Sequence, residues 1–547
     1  MGLYRFLLVA TTILPTTMEQ ALSGRQTTFS EAQGRTPHQE LDPAFWNDMA
    51  HRDLDRAIQL QKLNLNMAKN VVLFVGDGMG LTTVTTGRIL KGQLQGQPGE
   101  ETVLAMDSLP HVGLVKTYSL DYQVPDSAGT ATAFLSGVKA ARGTIGVNGR
   151  VQHGVCATQK GNEVNSILVL ANQAGKSTGV VSTSSLTDAT VASTYAHSAS
   201  RYWDTDANLP WEAIYKGCKD IAAQLVDNAP DIEVLLAGGR QNFLPRSVAD
   251  MEYPNKFGTR RDGRNLVEEW ITTKPGTARF VWNLDEFNAI DSNRTDYLLG
   301  LFEPHHMKFS VDRDLDGAGK PTLSDMTQKA IQILQKNSNG FFLLVEGGRI
   351  DHGHHANQAV RALHDTVAFD DAIQVAKDML DMQDSLVIVT ADHSHTFNFG
   401  GYPSRGHPIF RKTDYNFGFE LLDRKPMTSL LYGNGPGYSL SGTRQDITNV
   451  NTGRKDYKQQ SAVPLAHETH GGEDVPIFAG GPMAHLFHGV REQNYIAHVM
   501  KYAACLGEYR ENCHSLRKPR ATRGGVAVRS WDFQTTIAVL ILVVAIM

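Results

Sequence analysis

Five apolar runs, at residues 71–75, 177–182, 233–237, 340–345 and 385–390, alternate with helix-patterned stretches along this chain, and they constrain its fold more than any other feature. Strands separated by segments long enough to cross over as helices predict a mostly parallel sheet covered on both faces. In such sheets a site collects at the carboxyl ends of the strands. Here Asp77 follows the first run, Glu346 the fourth and Asp392 the fifth. The expected fold class is α/β, a single large domain over residues 41–513 with a central mostly parallel sheet flanked by helices. Residues 402–464 are rich in Gly, Pro, Tyr and charge and separate two site-bearing segments, so they are expected to form an inserted, crown-like surface subdomain.

Acids and bases nearly balance, with a formal net charge of -5. That excludes the one-sided basic footprint of a nucleic-acid binder, and no nucleic-acid partner is expected. Arg5, an apolar stretch over residues 6–14, and the small residues Ala21 and Ser23 have the layout of a cleaved signal peptide, taken as residues 1–23. No charge follows Asp532, and the chain ends in an apolar run from residue 537. That run is shorter than the roughly 20 residues a spanning helix needs. Behind a polar spacer and the small residues Ala521, Thr522, Gly524 and Gly525, it fits a glycolipid (GPI-type) anchor signal, so residues 514–547 are expected to be spacer and signal. The expected location is the extracellular face of the cell membrane. The four cysteines suit that oxidising route. The closeness of Cys505 to Cys513 predicts a small terminal loop, which leaves Cys156 for Cys218. Asn293 opens a glycosylation sequon with Thr295.

Twenty histidines are the compositional oddity, and several stand in motifs with acids. In V-E-G-G-R-I-D-H-G-H-H, Asp351 and His355 are four apart and would share one helix face, which is metal-ligand spacing. A histidine-rich stretch can equally be a solvated helix end. V-T-A-D-H-S-H puts Asp392 and His393 at a strand end, and E-T-H-G-G-E-D puts His470 in a Gly-rich loop. An Asp after a strand is commonly only a turn or cap residue. Three acid and imidazole clusters at loop ends of one sheet, however, suit zinc, which takes nitrogen and oxygen ligands. In G-D-G-M-G, the glycines flanking Asp77 permit close backbone approach. In V-P-D-S-A-G-T-A-T-A, Ser127 would open a small-residue helix. As structure alone it reads as an N-cap; as chemistry, a hydroxyl there faces amide donors suited to phosphate.

At these motifs the chain closely resembles the alkaline phosphatase family, particularly its membrane-anchored animal members, over nearly all of residues 41–513. The resemblance implies hydrolysis of phosphate monoesters at alkaline pH through a phosphoserine on Ser127, with two zinc ions and one magnesium ion per subunit. By matching positions it implies that one zinc is held by Asp351, His355 and His470, and the other by Asp77, Asp392 and His393 with Ser127. Magnesium would use Asp77, Thr190 and Glu346, and Arg201 would grip the phosphate. Asp188 and His352 form a mixed surround to the third site, since Asp188 stands where vertebrate members carry histidine. A calcium-type site is matched only in part, by Glu252, Phe302 through its carbonyl, and Glu303. Lys320 stands where the last carboxylate is expected, and Asp316 is the candidate substitute. Nearby, residues 312–317 imitate the start of an EF-hand loop, but Leu323 occupies the position of its final glutamate. The family also implies a homodimer in which Tyr402 reaches the partner's site. Two alternatives are a phosphodiester or sulfate ester hydrolase on this scaffold, and a non-catalytic cell-surface receptor or adhesion protein. The third metal set and Arg201 disfavour the first, and the intact zinc residues the second.

Overall fold

A computed structural model describes residues 38–227, 231–414 and 421–512. The expected leader, the anchor signal and Cys513 lie outside the described residues. The strands are β1 (Asn70–Gly76), β2 (His111–Lys116), β3 (Ser177–Ser185), β4 (Val234–Gly238), β5 (Ala278–Val281), β6 (Tyr297–Leu301), β7 (Phe341–Glu346), β8 (Ser385–Ala391), β9 (Ser394–His395), β10 (Phe397–Phe399), β11 (Leu430–Gly435), β12 (Ser461–Pro464), β13 (His470–Gly471), β14 (Val475–Gly480) and β15 (Gly489–Glu492). Ten of them form one sheet in the order β15-β2-β14-β8-β1-β7-β3-β4-β6-β5. All neighbours in it run parallel except at β14, which is antiparallel to β2 and β8.

The five apolar runs became β1, β3, β4, β7 and β8, within a few residues of the expected limits. β1, β7 and β8 are buried along their whole length. Helices cover both faces of a parallel sheet, so its central strands are apolar throughout and do not alternate. Each fully buried Val, Leu or Phe contributes about 1.5–3 kcal/mol by leaving water. The strands that sequence missed are less apolar or carry contrary residues. β2 and β15 are partly exposed, and β14 contains Pro476, which argues against a central strand. Pro476 stands in register with Leu114 of β2, whereas pairing with β8 begins only at Ile477.

Register positions the site. Val75 of β1 pairs with Glu346 of β7, Gly76 with Ala391 of β8, and Ser182 of β3 with Glu346. Four adjacent strands therefore deliver Asp77, Glu346, Asp392 and the segment after β3 to one edge of the sheet. Neighbouring strands lie about 4.8 Å apart, so side chains from three of them can meet around one ion. The two-residue strands β9 and β13 pair antiparallel, His395 against His470, and so bring two distant histidine motifs together.

β10, β11 and β12 form a small sheet partly built from the segment expected as an insertion. Its apolar side, Phe397, Leu430 and Tyr432, packs with Ile409 on Ile89, Leu90 and Leu363. The Cys156–Cys218 disulfide forms as expected, with Cα atoms 6.0 Å apart, beside a minor core around Trp203. Among the described residues, no helix is long and apolar enough to cross a membrane.

Candidate active site

Ser127 is the first residue of the helix Ser127–Ser136, whose side chains are all buried. It is not the N-cap that its motif suggested. Asp126 takes that place, accepting the N–H of Gly129 at 3.2 Å and that of Gly143 at 2.9 Å. Asp126 has the extended backbone of a cap, φ -118° and ψ 164°, whereas Ser127 is already helical, which leaves its hydroxyl free to face inward. Its Oγ lies 3.2 Å from His393 Nε2.

Arg201 is held by the same cap. One guanidinium nitrogen lies 3.2 Å from Asp126 Oδ2 and the other 3.2 Å from Asp188 Oδ1. Burial works against its charge, but Asp188 and Asp126 outweigh that and raise its pKa further. The fork is thereby fixed as a permanent cation beside the helix terminus, with its side chain 21% exposed.

Asp351 and His355 lie on the helix Arg349–His355, as their spacing predicts. His355 Nε2 is 3.3 Å from Asp351 Oδ1, His470 Nε2 is 3.4 Å from the same oxygen, and the two nitrogens are 3.1 Å apart. Four donors tetrahedrally placed at about 2.0–2.1 Å from a zinc ion stand about 3.3 Å from one another. His355 Nδ1 donates to the Glu468 carbonyl and His470 Nδ1 to that of Pro125. A carbonyl only accepts, so each Nδ1 carries the proton and each neutral Nε2 turns a lone pair toward Asp351. Burial lowers both imidazole pKa values and favours that neutral form. Three acceptors converging at such distances repel one another unless a cation lies among them, so the donor set fits a metal.

Asp77, Asp392 and His393 form a second group. His393 Nε2 is 3.0 Å from Asp392 Oδ2 and 3.6 Å from Asp77 Oδ1. Asp392 Oδ1 is occupied by the N–H of Gly78 at 2.9 Å and that of His393 at 2.8 Å, which leaves Oδ2 for the site. Asp77 Oδ1, Asp392 Oδ2 and Glu346 Oε1 are buried and make no hydrogen bond. Buried carboxylate oxygens are otherwise almost always satisfied, which fits these three to a metal. Burial and then repulsion from Asp392 and other acids push Asp77 well above the carboxylate range. Glu346 rises to about 8 through burial and Asp188, with Ser182 donating to its Oε2. Thr190 is buried in the short helix Ala189–Ala192, which Asp188 caps. Gly78 has φ 71°, and a Cβ there would sit 2.4 Å from His395 Nε2. The lack of a side chain at Gly78 thus makes room for that ring.

One family model, alkaline phosphatase, matches residues 68–506. The chain belongs to the alkaline phosphatase family. It is 53% identical over 492 residues to the tissue-nonspecific alkaline phosphatase of Gallus gallus, covering 89% of this chain and 94% of that one. To the tissue-nonspecific isozyme of Homo sapiens it is 51% identical over 497 residues, covering 90% and 93%. Its fold superposes on the alkaline phosphatase of the Antarctic bacterium TAB5 with a TM-score of 0.55 and 26% identity, covering 80% of this chain and 99% of that one. It is accordingly an enzyme, a hydrolase of phosphate monoesters that uses metal cofactors.

Within this phosphatase, Asp126, His395, Glu468 and His306 join the site although sequence reasoning did not assign them. His395 donates to Asp351 Oδ1 at 2.8 Å through Nε2 and to Glu468 Oε2 through Nδ1. Burial opposes its charge, yet Glu468 and Asp351 raise its pKa to about 10, so it sits between two carboxylates as an imidazolium. Both its nitrogens are engaged, which makes it a support for Asp351. Its position two residues past His393 was the available signal. His306 joins Asp188 and His352. Its ring centroid is 4.2 Å from that of His352, whose pKa falls to about 3 through burial and then His306.

Glu252, Glu303 and Asp316 do gather. Phe302, directly after β6, is fully buried beside Glu303. The ammonium of Lys320, however, lies among the acids. The EF-hand imitation is taken up by other partners, Asp312 Oδ2 accepting from Arg361 Nε at 2.9 Å. Asn293 is exposed at a turn.

Proposed function

We propose that this phosphomonoesterase uses Ser127 as its nucleophile. One zinc would be held by Asp351, His355 and His470, a second by Asp77, Asp392 and His393, and magnesium by Asp77, Thr190 and Glu346. The observation that carries the reading is the convergence of the His355 and His470 lone pairs on Asp351, next to His393, whose ring stacks 3.5 Å from that of His470 and whose Nε2 is 3.2 Å from Ser127 Oγ. Bound divalent cations would supply charge for the phosphate oxygens and lower the pKa of a coordinated hydroxyl or water.

The chain's own groups do the rest. Ser127 Oγ, at the positive end of a helix, attacks phosphorus, and the bond from phosphorus to the alcohol oxygen breaks. A phosphoserine and free alcohol result. Water then attacks the phosphoserine, restoring Ser127 and releasing phosphate, so two inversions leave the configuration retained. Arg201, braced by Asp126 and Asp188, presents a planar fork to two nonbridging oxygens. Brief reaction with nitrophenyl phosphate followed by acid quench should leave phosphate on Ser127 in a mapped peptide. Phosphate on another residue, or none with full turnover, would refute the assignment.

We further infer an outward-facing enzyme tethered by a lipid anchor, supported by the composition of the two chain ends and the Cys156–Cys218 bridge. A homodimer is supported by Tyr402, which is 69% exposed, and by the helix Pro43–Gln59, which buries none of its residues in this chain although Trp46, Leu54 and Ile58 lie on it.

A further inference from the structure

The acids resembling a calcium site do not form an open cage. Glu252, Glu303 and Asp316, in the segments that follow β4 and β6, bring ligand atoms within 4.8 Å of one another. Into that group enters Lys320, its side chain 1% exposed. Its Nζ lies 2.5 Å from Glu252 Oε2 and 3.5 Å from Asp316 Oδ1. Lys308 closes the other side, 3.1 Å from Asp316 Oδ2 and 3.9 Å from Glu303 Oε1. Arg240, itself paired to Asp250, lies 3.7 Å from Glu252. The Trp282 ring lies 5.6 Å from Lys320 Nζ and 5.5 Å from the Arg240 guanidinium.

Calcium requires six to eight oxygens at about 2.3–2.6 Å. Glu252 and Asp316 already accept from ammonium groups, which leaves Glu303, whose Oε1 is buried without a hydrogen bond, too few companions to complete such a cage, and a dication there would meet like charges at contact distance. Lysine delivers one positive charge on a stem that packs along apolar surface, and the chain brings it without recruiting anything from solution.

We propose that Lys320 is a built-in cation that replaces calcium in this enzyme, so that the segment between β6 and β7 is clamped to the segment between β4 and β5 without metal. The position at which the sequence departs from the family pattern is thus a chemical substitution of an ion by a side chain. Catalysis at Ser127 is not involved, and failure of this proposal leaves the assignment above standing.

The test uses the full-length enzyme with zinc and magnesium kept saturating, so that calcium is the only variable. Thermal unfolding and calcium retained after gel filtration are the readouts. Wild type should retain no stoichiometric calcium and unfold at the same Tm with and without millimolar calcium. Lys320→Met keeps the stem and removes the charge. It should unfold several degrees lower without calcium and recover when millimolar calcium is added. Lys320→Glu should behave likewise and carry calcium through gel filtration. Wild type retaining one calcium per chain would overturn the proposal, as would a Lys320→Met enzyme whose Tm neither drops nor responds to calcium. Should neither variant yield folded protein, the calcium content of wild type decides alone.

Discussion

His355 Nε2 and His470 Nε2 face each other at 3.1 Å, although their Nδ1 atoms are both committed as donors to backbone carbonyls. Neither nitrogen of the facing pair carries a proton for the other. Such an arrangement is favourable only around a cation, and Asp351 completes the set.

Stripping the cations should make stability depend on pH. Without metal, Glu346 has a pKa of about 8, raised by burial and Asp188 above its ordinary value. Between its unfolded and folded pKa values the native state binds the extra proton, so stability falls as pH rises from about 4.5 to 8. The Tm of chelator-treated enzyme should therefore decline across that window more steeply than the Tm of metal-loaded enzyme. Equal slopes would show that the acids do not crowd one another.

Ser127→Ala should reduce turnover of nitrophenyl phosphate by at least about 10³-fold, the scale at which a nucleophile's loss is felt. Because Asp126 is the helix cap, Tm should change by little. A variant that retains turnover, or one that simply unfolds, would count against the role given to the hydroxyl.

Arg201→Ala should lower kcat/KM by about 10²-fold through lost phosphate binding, with Arg201→Lys recovering only part of it because a point charge cannot fork. Asp126→Ala should weaken both functions of that carboxylate. It should cost about 1 kcal/mol as a lost cap and raise KM by freeing Arg201. Steady-state kinetics beside denaturant unfolding separates these two effects.

Asp365 lies on the long helix Ala359–Met379 and accepts the Ser310 N–H at 3.0 Å. Burial lifts its pKa to about 7. A raised carboxyl pKa means that stability is lost as pH rises from about 4 to 7. Asp365→Asn keeps an acceptor for Ser310 and avoids that loss, so its stability relative to wild type should be greater at pH 8 than at pH 5. Denaturant midpoints at the two pH values check the sign.

Much of this arrangement could be read from sequence because its principal residues stand at strand ends or one helical turn apart. Asp77, Glu346 and Asp392 follow apolar runs, and the Asp351 to His355 spacing is local. What escaped depends on tertiary pairing. His395 and Glu468 meet only through the β9–β13 register and the fold around it. The Asp126 cap on the Ser127 helix also serves Arg201, 75 residues away, and Gly143, partners that no local pattern shows. β14 was hidden by Pro476, and the meaning of Lys320 could be seen only once Glu252 and Asp316 were beside it.

Anomalous diffraction at the zinc absorption edge from crystals of the purified enzyme addresses the central claim most directly. Two zinc peaks are expected about 3.5–4 Å apart. One should touch Asp351, His355 and His470, and the other Asp77, Asp392, His393 and Ser127 Oγ. A map without peaks in enzyme that is fully active, or with zinc only away from Ser127, would contradict it.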